Sequence, residues 1–170
     1  MKYLVLITLC GFLAGCVGHM AVKMPLQEVQ NGNLLARVKV NDLRTPGVAA
    51  SKLEAAFGVP MGNVTFDPPE AQVVKNLLEV ELTKILREKG IQSQQDYVCD
   101  LIEFGVNTNT TPLYWDVIGR IQLVLKQNEK EYNLFGKHVE RTYARPGESI
   151  IKKVVDESLK QIAAGLRQVS

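Results

Sequence analysis

Cysteine is the residue type with the strongest chemistry in this sequence, and one copy stands out by its neighbours. Cys16 directly follows the run Leu13-Ala14-Gly15. Small residues before a cleavage point fit a peptidase groove, and a cysteine just after it supplies a thiol that can be acylated. Upstream, Lys2 precedes an apolar run over 3–12, which is shorter than the ~20 residues of a membrane span but typical of a signal-peptide core. The sequence therefore predicts a lipoprotein signal peptide over 1–15 and lipid attachment at Cys16.

The Leu-Ala-Gly-Cys run resembles the lipobox of bacterial lipoproteins at every position. The resemblance implies that Cys16 becomes the first mature residue and carries a diacylglycerol thioether and, usually, an N-acyl chain such as palmitate. Two or more acyl chains anchor a protein stably in a membrane, whereas one does so only marginally. Val17 stands where the resemblance associates aspartate with inner-membrane retention, so we expect a periplasm-facing outer-membrane anchor. A Gram-positive surface lipoprotein is the alternative.

The rest of the chain offers little chemistry. Once Cys10 leaves with the signal peptide and Cys16 is alkylated, Cys99 is the only free thiol, and its apolar surroundings favour a small buried hydrophobe over a nucleophile. The two histidines, His19 and His138, cannot assemble a zinc cluster with one thiol, and no phosphate loop or nucleophile motif occurs. We therefore predict no enzyme activity, no catalytic residues, no metal and no cofactor.

Composition and charge indicate a single globular domain with one basic region. The chain has 170 residues, 46% of them hydrophobic, and a net charge of +2, which is too mild for nucleic-acid binding through many phosphates. Residues 117–170 hold 10 basic and 6 acidic groups. A partner or anionic-lipid site is predicted there, with a solvated strand face as the alternative. Its residues would be Arg120, Lys126, Lys137, Arg141, Arg145, Tyr114 and Trp115.

Hydrophobic periodicity predicts the elements that position these residues. Alternation at period two predicts strands over 34–40, 97–106, 115–125 and 131–143, with a short strand over 62–66. Helical spacing predicts one helix that starts at Asp67-Pro68-Pro69-Glu70 and ends at Gly90, and a second at the end of the chain. A slip in the alternation indicates a bulge near Gly136, and a weak helical turn is expected over 51–56.

This order, β-α-β-β-β-α, predicts an α+β two-layer sandwich. Consecutive strands joined by short turns imply a mainly antiparallel sheet of four to five strands, with both helices on one face. We expect a lipidated N-terminus and tether over 16–33 and one periplasmic domain over 34–170.

Several segments together resemble the YajG-type outer-membrane lipoproteins: the lipobox, Asp42-Leu43-Arg44, Leu82-Thr83 and the run over 87–91. The layout is also similar to the lipopolysaccharide-assembly lipoprotein LptE and to auxiliary lipoproteins of ABC-type lipid transporters. The YajG resemblance covers nearly the whole chain and implies location and architecture. We therefore expect a non-enzymatic scaffold or adaptor in a cell-envelope protein assembly. The alternative is an accessory lipoprotein for lipid or lipopolysaccharide transport that binds anionic headgroups.

Overall fold

Seven strands and two long helices follow one another in a computed structural model that describes residues 18–28, 33–45 and 51–169. Cys16 and the predicted signal peptide lie outside the described residues. The strands are β1 (Gly18–Lys23), β2 (Ala36–Asp42), β3 (Ser51–Glu54), β4 (Pro60–Asp67), β5 (Gln95–Thr110), β6 (Trp115–Gln127) and β7 (Lys130–Thr142), and the helices are α1 (Glu70–Glu88) and α2 (Glu148–Val169).

The strands form one mixed sheet in the order β1-β4-β3-β5-β6-β7, and β2 also pairs with β5. The pairs β1–β4, β2–β5 and β3–β5 are parallel, whereas β3–β4, β5–β6 and β6–β7 are antiparallel. One edge of β5 holds two partners because this strand has 16 residues. Its first half pairs with β2, and Asn107 in its second half pairs with Lys52 of β3.

The predicted sheet is therefore wrong. It was expected to be mainly antiparallel, with four to five strands and both helices on one face, but it has seven strands of mixed direction. Two of the observed strands were not predicted from the sequence. β1 lies in a stretch without sustained alternation, and the four-residue β3 lies where a helical turn was expected. All five predicted strands and both helices are confirmed near their expected positions, the strands as β2, β4, β5, β6 and β7.

The two helices pack against different strands and against each other. α1 lies on β2, whereas α2 lies on β6 and β7 and also reaches β1. Gly90 follows α1 with φ +73°, and Ile91 N donates to Leu86 O, so the predicted glycine stop is confirmed. The predicted Asp67 cap is wrong, because the ladder with β1 keeps Asp67 in β4 and the helix starts at Glu70. No helix in the described part of the chain has the length and apolar character to cross a membrane.

Gly136 has a different role from the one that the sequence indicated. β7 pairs with β6 without any register shift, and the irregularity lies in β5 between Leu101 and Glu103. A Cβ on Gly136 would lie 2.1 Å from Ser158 O, and a Cβ on Gly119 would lie 2.7 Å from Val154 O. The glycines therefore allow the backbone of α2 to lie directly on the β6–β7 hairpin.

Candidate functional site

The predicted lipid attachment point lies immediately before the first strand. Cys16 is not described, but β1 begins at Gly18, and its register with β4 continues for six residues. Gly62 has φ +140°, and a Cβ there would lie 1.8 Å from Gly18 O, so the start of β1 is seated tightly against β4. Residues 18–24 and Gln27 of the segment that was predicted as a tether therefore lie on the domain.

Four of the five predicted basic residues lie on one surface of the β6–β7 hairpin. The register pairs Arg120 with Lys137, Lys126 with Glu131, and Asp116 with Arg141. Side chains at these positions point away from Gly119 and Gly136, which face α2. We call this surface of β5, β6 and β7 the open face, because most of its side chains are exposed or half-buried.

Two of these cations are already paired with carboxylates. Lys126 Nζ lies 2.9 Å from Asp100 Oδ2 and 3.3 Å from Glu131 Oε1, and these bonds raise the pKa of Lys126. Hydrogen bonds from Asn41 and then Lys126 hold the pKa of Asp100 below its usual value. These carboxylates partly neutralise Lys126, which weakens its attraction for an acidic partner.

Arg141 is held in a second cluster at the end of the hairpin. Its Nε lies 2.7 Å from Asp116 Oδ1, and this bond lowers the pKa of Asp116. The guanidinium also stacks 3.8 Å above the centre of the Tyr114 ring. Trp115 is half-buried opposite Thr142, and alternation puts its side chain on the other face of the hairpin. Of the two predicted aromatic residues, only Tyr114 therefore supports the polar cluster at the rim of the open face.

Arg120 and Lys137 differ from the other predicted cations. They lie opposite each other in the register, and neither side chain has an ion pair with any described residue. Arg145 lies elsewhere, beyond the end of β7, where its Nη2 is 3.4 Å from Met61 O. The structure therefore brings four predicted cations onto the open face, leaves two of them without a carboxylate, and separates the fifth.

The sequence analysis missed the exposed apolar residues of the open face. Phe135 and Val139 flank Lys137 on β7 and are 56% and 45% exposed. Val98 and Ile102 of β5 add two more exposed apolar side chains. The odd-numbered positions from Phe135 to Arg141 share one face of β7, so alternation within the predicted strand could have identified this mixed apolar and basic surface.

The backbone edges of the sheet are closed by helix side chains where contacts are described. Gln161 of α2 bonds both the N–H and the C=O of Lys137 in β7. Glu79 of α1 accepts from Val38 N in β2, and Glu148 of α2 accepts from Lys23 N in β1. Strand addition at these positions would break existing hydrogen bonds, so the open face is a better candidate contact than an edge strand.

The described cavities are open grooves. One of 530 Å³ lies between the helices, and its rim carries both signs of charge, for example Lys153 and Glu157. Another of 780 Å³ lies between the end of α1 and the β6–β7 turn. Ile85 and Leu125 line the second groove, with Tyr132 and Lys130 beside them. This groove could accommodate an apolar chain, and Lys130 could contact an anionic group.

Groups that could carry nucleophilic or metal chemistry are dispersed or buried. Cys99 is fully buried in β5, and burial raises the pKa of its thiol to about 12, so it is not a thiolate near neutral pH. His138 Nε2 lies 3.5 Å from Glu140 Oε2, and Lys153 Nζ lies 2.8 Å from the other oxygen, Glu140 Oε1. Across 18–28, 33–45 and 51–169, no group of three or more His, Cys, Asp or Glu residues is placed to hold a metal ion.

Comparisons with known proteins report the fold alone. No family model matches the chain. A search of curated proteins finds no match either. A crystal structure described as that of an uncharacterized protein is similar, with a TM-score of 0.53 and 13% identity over 90% of this chain and all of that one. At this identity the likeness concerns only the arrangement of strands and helices, and the YajG-type resemblance stays a prediction.

Proposed function

We propose that this protein is an acylated outer-membrane lipoprotein that acts as a non-enzymatic adaptor in a cell-envelope protein assembly. The open face is its contact for a protein partner. The observation that carries the proposal is the pairing of Arg120 with Lys137 beside exposed apolar side chains, since neither cation has an ion pair in the described part of the chain. Aromatic residues and arginine are enriched in protein interfaces relative to the rest of a protein's surface.

Charge complementarity defines the partner's chemistry. Two adjacent cations that form no ion pair with a described residue favour an acidic patch on the other protein, and Phe135 and Val139 favour an apolar one beside it. The acyl chains of Cys16 would confine the protein to a membrane plane, which raises its effective concentration near partners in the same membrane. A flat face of modest affinity can then be sufficient for binding.

Photo-crosslinking in living cells tests this assignment. A photoreactive residue at position 135 or 139 is expected to give one protein adduct of defined mass, whereas the same residue at Lys75 on α1 gives none. Lys137→Glu should remove most of the adduct without lowering the amount of folded protein. Lys160→Glu on α2 makes the same charge change away from the open face and should leave the adduct intact. Equal crosslinking at positions 75 and 135 would contradict the proposal.

A lipid-handling function is the second candidate, and the 780 Å³ groove favours it. Delipidated protein would bind phosphatidylglycerol there, with the acyl chain along Ile85 and Leu125 and the headgroup near Lys130. Native mass spectrometry should then show one bound lipid, and Lys130→Glu should reduce its occupancy. Lipid adducts at position 135, instead of protein adducts, would place anionic headgroups on the open face.

A further inference from the structure

Four exposed apolar side chains occupy one end of the sheet. Phe57 is 95% exposed, Tyr143 79%, Leu113 78% and Val59 52%. They lie in three separate connections: the β3–β4 turn, the β5–β6 loop and the segment after β7. We call these four residues the loop-tip cluster.

The strand register places this cluster at the end where β1 begins. Gly18 pairs with Gly62 near the start of β4, directly after the turn that contains Phe57. The hydroxyls of Thr108 and Thr110 donate to Glu54 O at 2.9 and 2.6 Å, which ties the β5–β6 loop to that same turn.

The last member of the cluster is placed by the β6–β7 pairing. Trp115 pairs with Thr142, so Tyr143 follows at the same end. Arg145 then bonds Met61 O near the start of β4. Three sequence-distant connections and the first residue of β1 thus share one end of the sheet.

The stability of the domain does not explain why a phenylalanine stands at position 57. Phe57 has φ 64° and ψ 22°, a left-handed conformation that favours glycine or asparagine. Its side chain is almost fully exposed, so no burial within the domain offsets the strain. A large aromatic residue held in a strained and exposed turn indicates a contact outside the domain.

We infer that the loop-tip cluster lies in the lipid headgroup region of the membrane that holds the acyl chains. The inference rests on the proposed acylation of Cys16. Only Val17 separates Cys16 from Gly18. Two residue steps of extended chain span at most about 7 Å, so the lipidated residue must lie close to the sheet end. A bilayer that receives the acyl chains therefore lies directly beside the cluster.

The composition of this end suits a lipid surface. Aromatic residues such as Tyr143 and Phe57 are favoured where the hydrocarbon meets water, and Leu113 supplies a fully apolar tip. Arg145 lies beside them, where its guanidinium can contact anionic phosphates. The strands run away from this end, so the open face stands beside the membrane and stays accessible to a protein partner.

Depth-dependent fluorescence quenching tests the orientation on the full-length acylated protein. Phe57→Cys and Leu113→Cys are labelled with bimane in vesicles of phosphatidylethanolamine and phosphatidylglycerol that carry a doxyl-lipid quencher. Cys99 is buried and does not compete for the label. Glu129→Cys, in the turn at the opposite end of β6, is the control. We expect quenching at positions 57 and 113 and none above the quencher-free level at 129.

Two further measurements make the result decisive. Tyr143→Ser should reduce quenching at position 57 because it removes a neighbouring anchor, whereas Phe135→Ser on the open face should leave it unchanged. Mass spectrometry of the N-terminal peptide reports acylation in the same sample. A modified Cys16 with labels at 57 and 113 quenched no more than that at 129 would overturn the orientation alone. An unmodified Cys16 would overturn the lipoprotein proposal and the orientation together.

Discussion

The two faces of the β6–β7 hairpin differ in how their side chains are packed: one is buried against α2, and the other is exposed to solvent. Toward α2, Leu123 and Leu134 are buried, and Gly119 and Gly136 let the helix backbone touch the strands. On the open face, Phe135 and its neighbours stay exposed around cations. The residues that face α2 are explained by close packing. The open face, by contrast, leaves apolar side chains exposed to water, and they contribute little to the stability of the fold. That difference is why the open face is the better candidate for recognition.

The largest expected contrast comes from truncating one side chain on each face. Leu123→Ala should lower the free energy of unfolding by about 2–5 kcal/mol, since Leu123 is fully buried and its removal leaves a cavity. Phe135→Ala should cost about 1 kcal/mol or less because that side chain is mostly exposed. Urea denaturation of the two variants in detergent measures both values, and equal losses would break the comparison.

A smaller effect is expected from adding one methyl group on each face. Gly136→Ala would drive a Cβ into the backbone of α2, so we expect a loss of about 3 kcal/mol. Gly105→Ala places its Cβ 3.6 Å from Ser51 Oγ, an ordinary contact, and should change stability by about 0.5 kcal/mol or less. Thermal unfolding of both variants checks this, and a silent Gly136→Ala would show that α2 lies farther from β7 than described.

The smallest effect concerns acid sensitivity on the open face. The pKa of Asp100 is lowered in the folded protein, so its ionised form stabilises the fold above the ordinary aspartate value of 3.8. This contribution is lost as pH falls below that value and through the lowered folded pKa. Wild type should therefore be more stable than Asp100→Asn near neutral pH, and the gap should close in acid. Urea titrations across this range measure it, with Asp96→Asn as the charge-matched control and a constant gap as the contrary result.

Elements with a long, regular pattern could be predicted from the sequence. The alternation in β6 and the helical spacing in α2 each extend over more than ten residues. A pattern of that length seldom arises by chance, so it identifies the element from local sequence alone. β3 has four residues, and β1 exists because β4 offers it a parallel edge. Neither strand carries enough local signal, since parallel pairing is decided by partners far apart in the chain.

The candidate site shows the same division. The cations Arg120 and Lys137 could be found from their positions in predicted strands, but their lack of carboxylate partners depends on the fold. Lys126 has the same sequence character, yet Asp100 from another strand pairs with it. Gly136 was expected to mark a bulge, and only the position of Ser158 shows that it serves helix packing.

By itself the sequence determined the elements with strong periodicity and predicted a lipid-bearing cysteine, because both are encoded in neighbouring residues. The tertiary structure decided the mixed sheet, the pairing of charges on the open face and the meeting of Phe57, Leu113 and Tyr143 beside the start of β1. These features depend on contacts between segments that are distant in the chain. Bringing such segments together closes a long loop, and it requires no periodic pattern in the residues that meet.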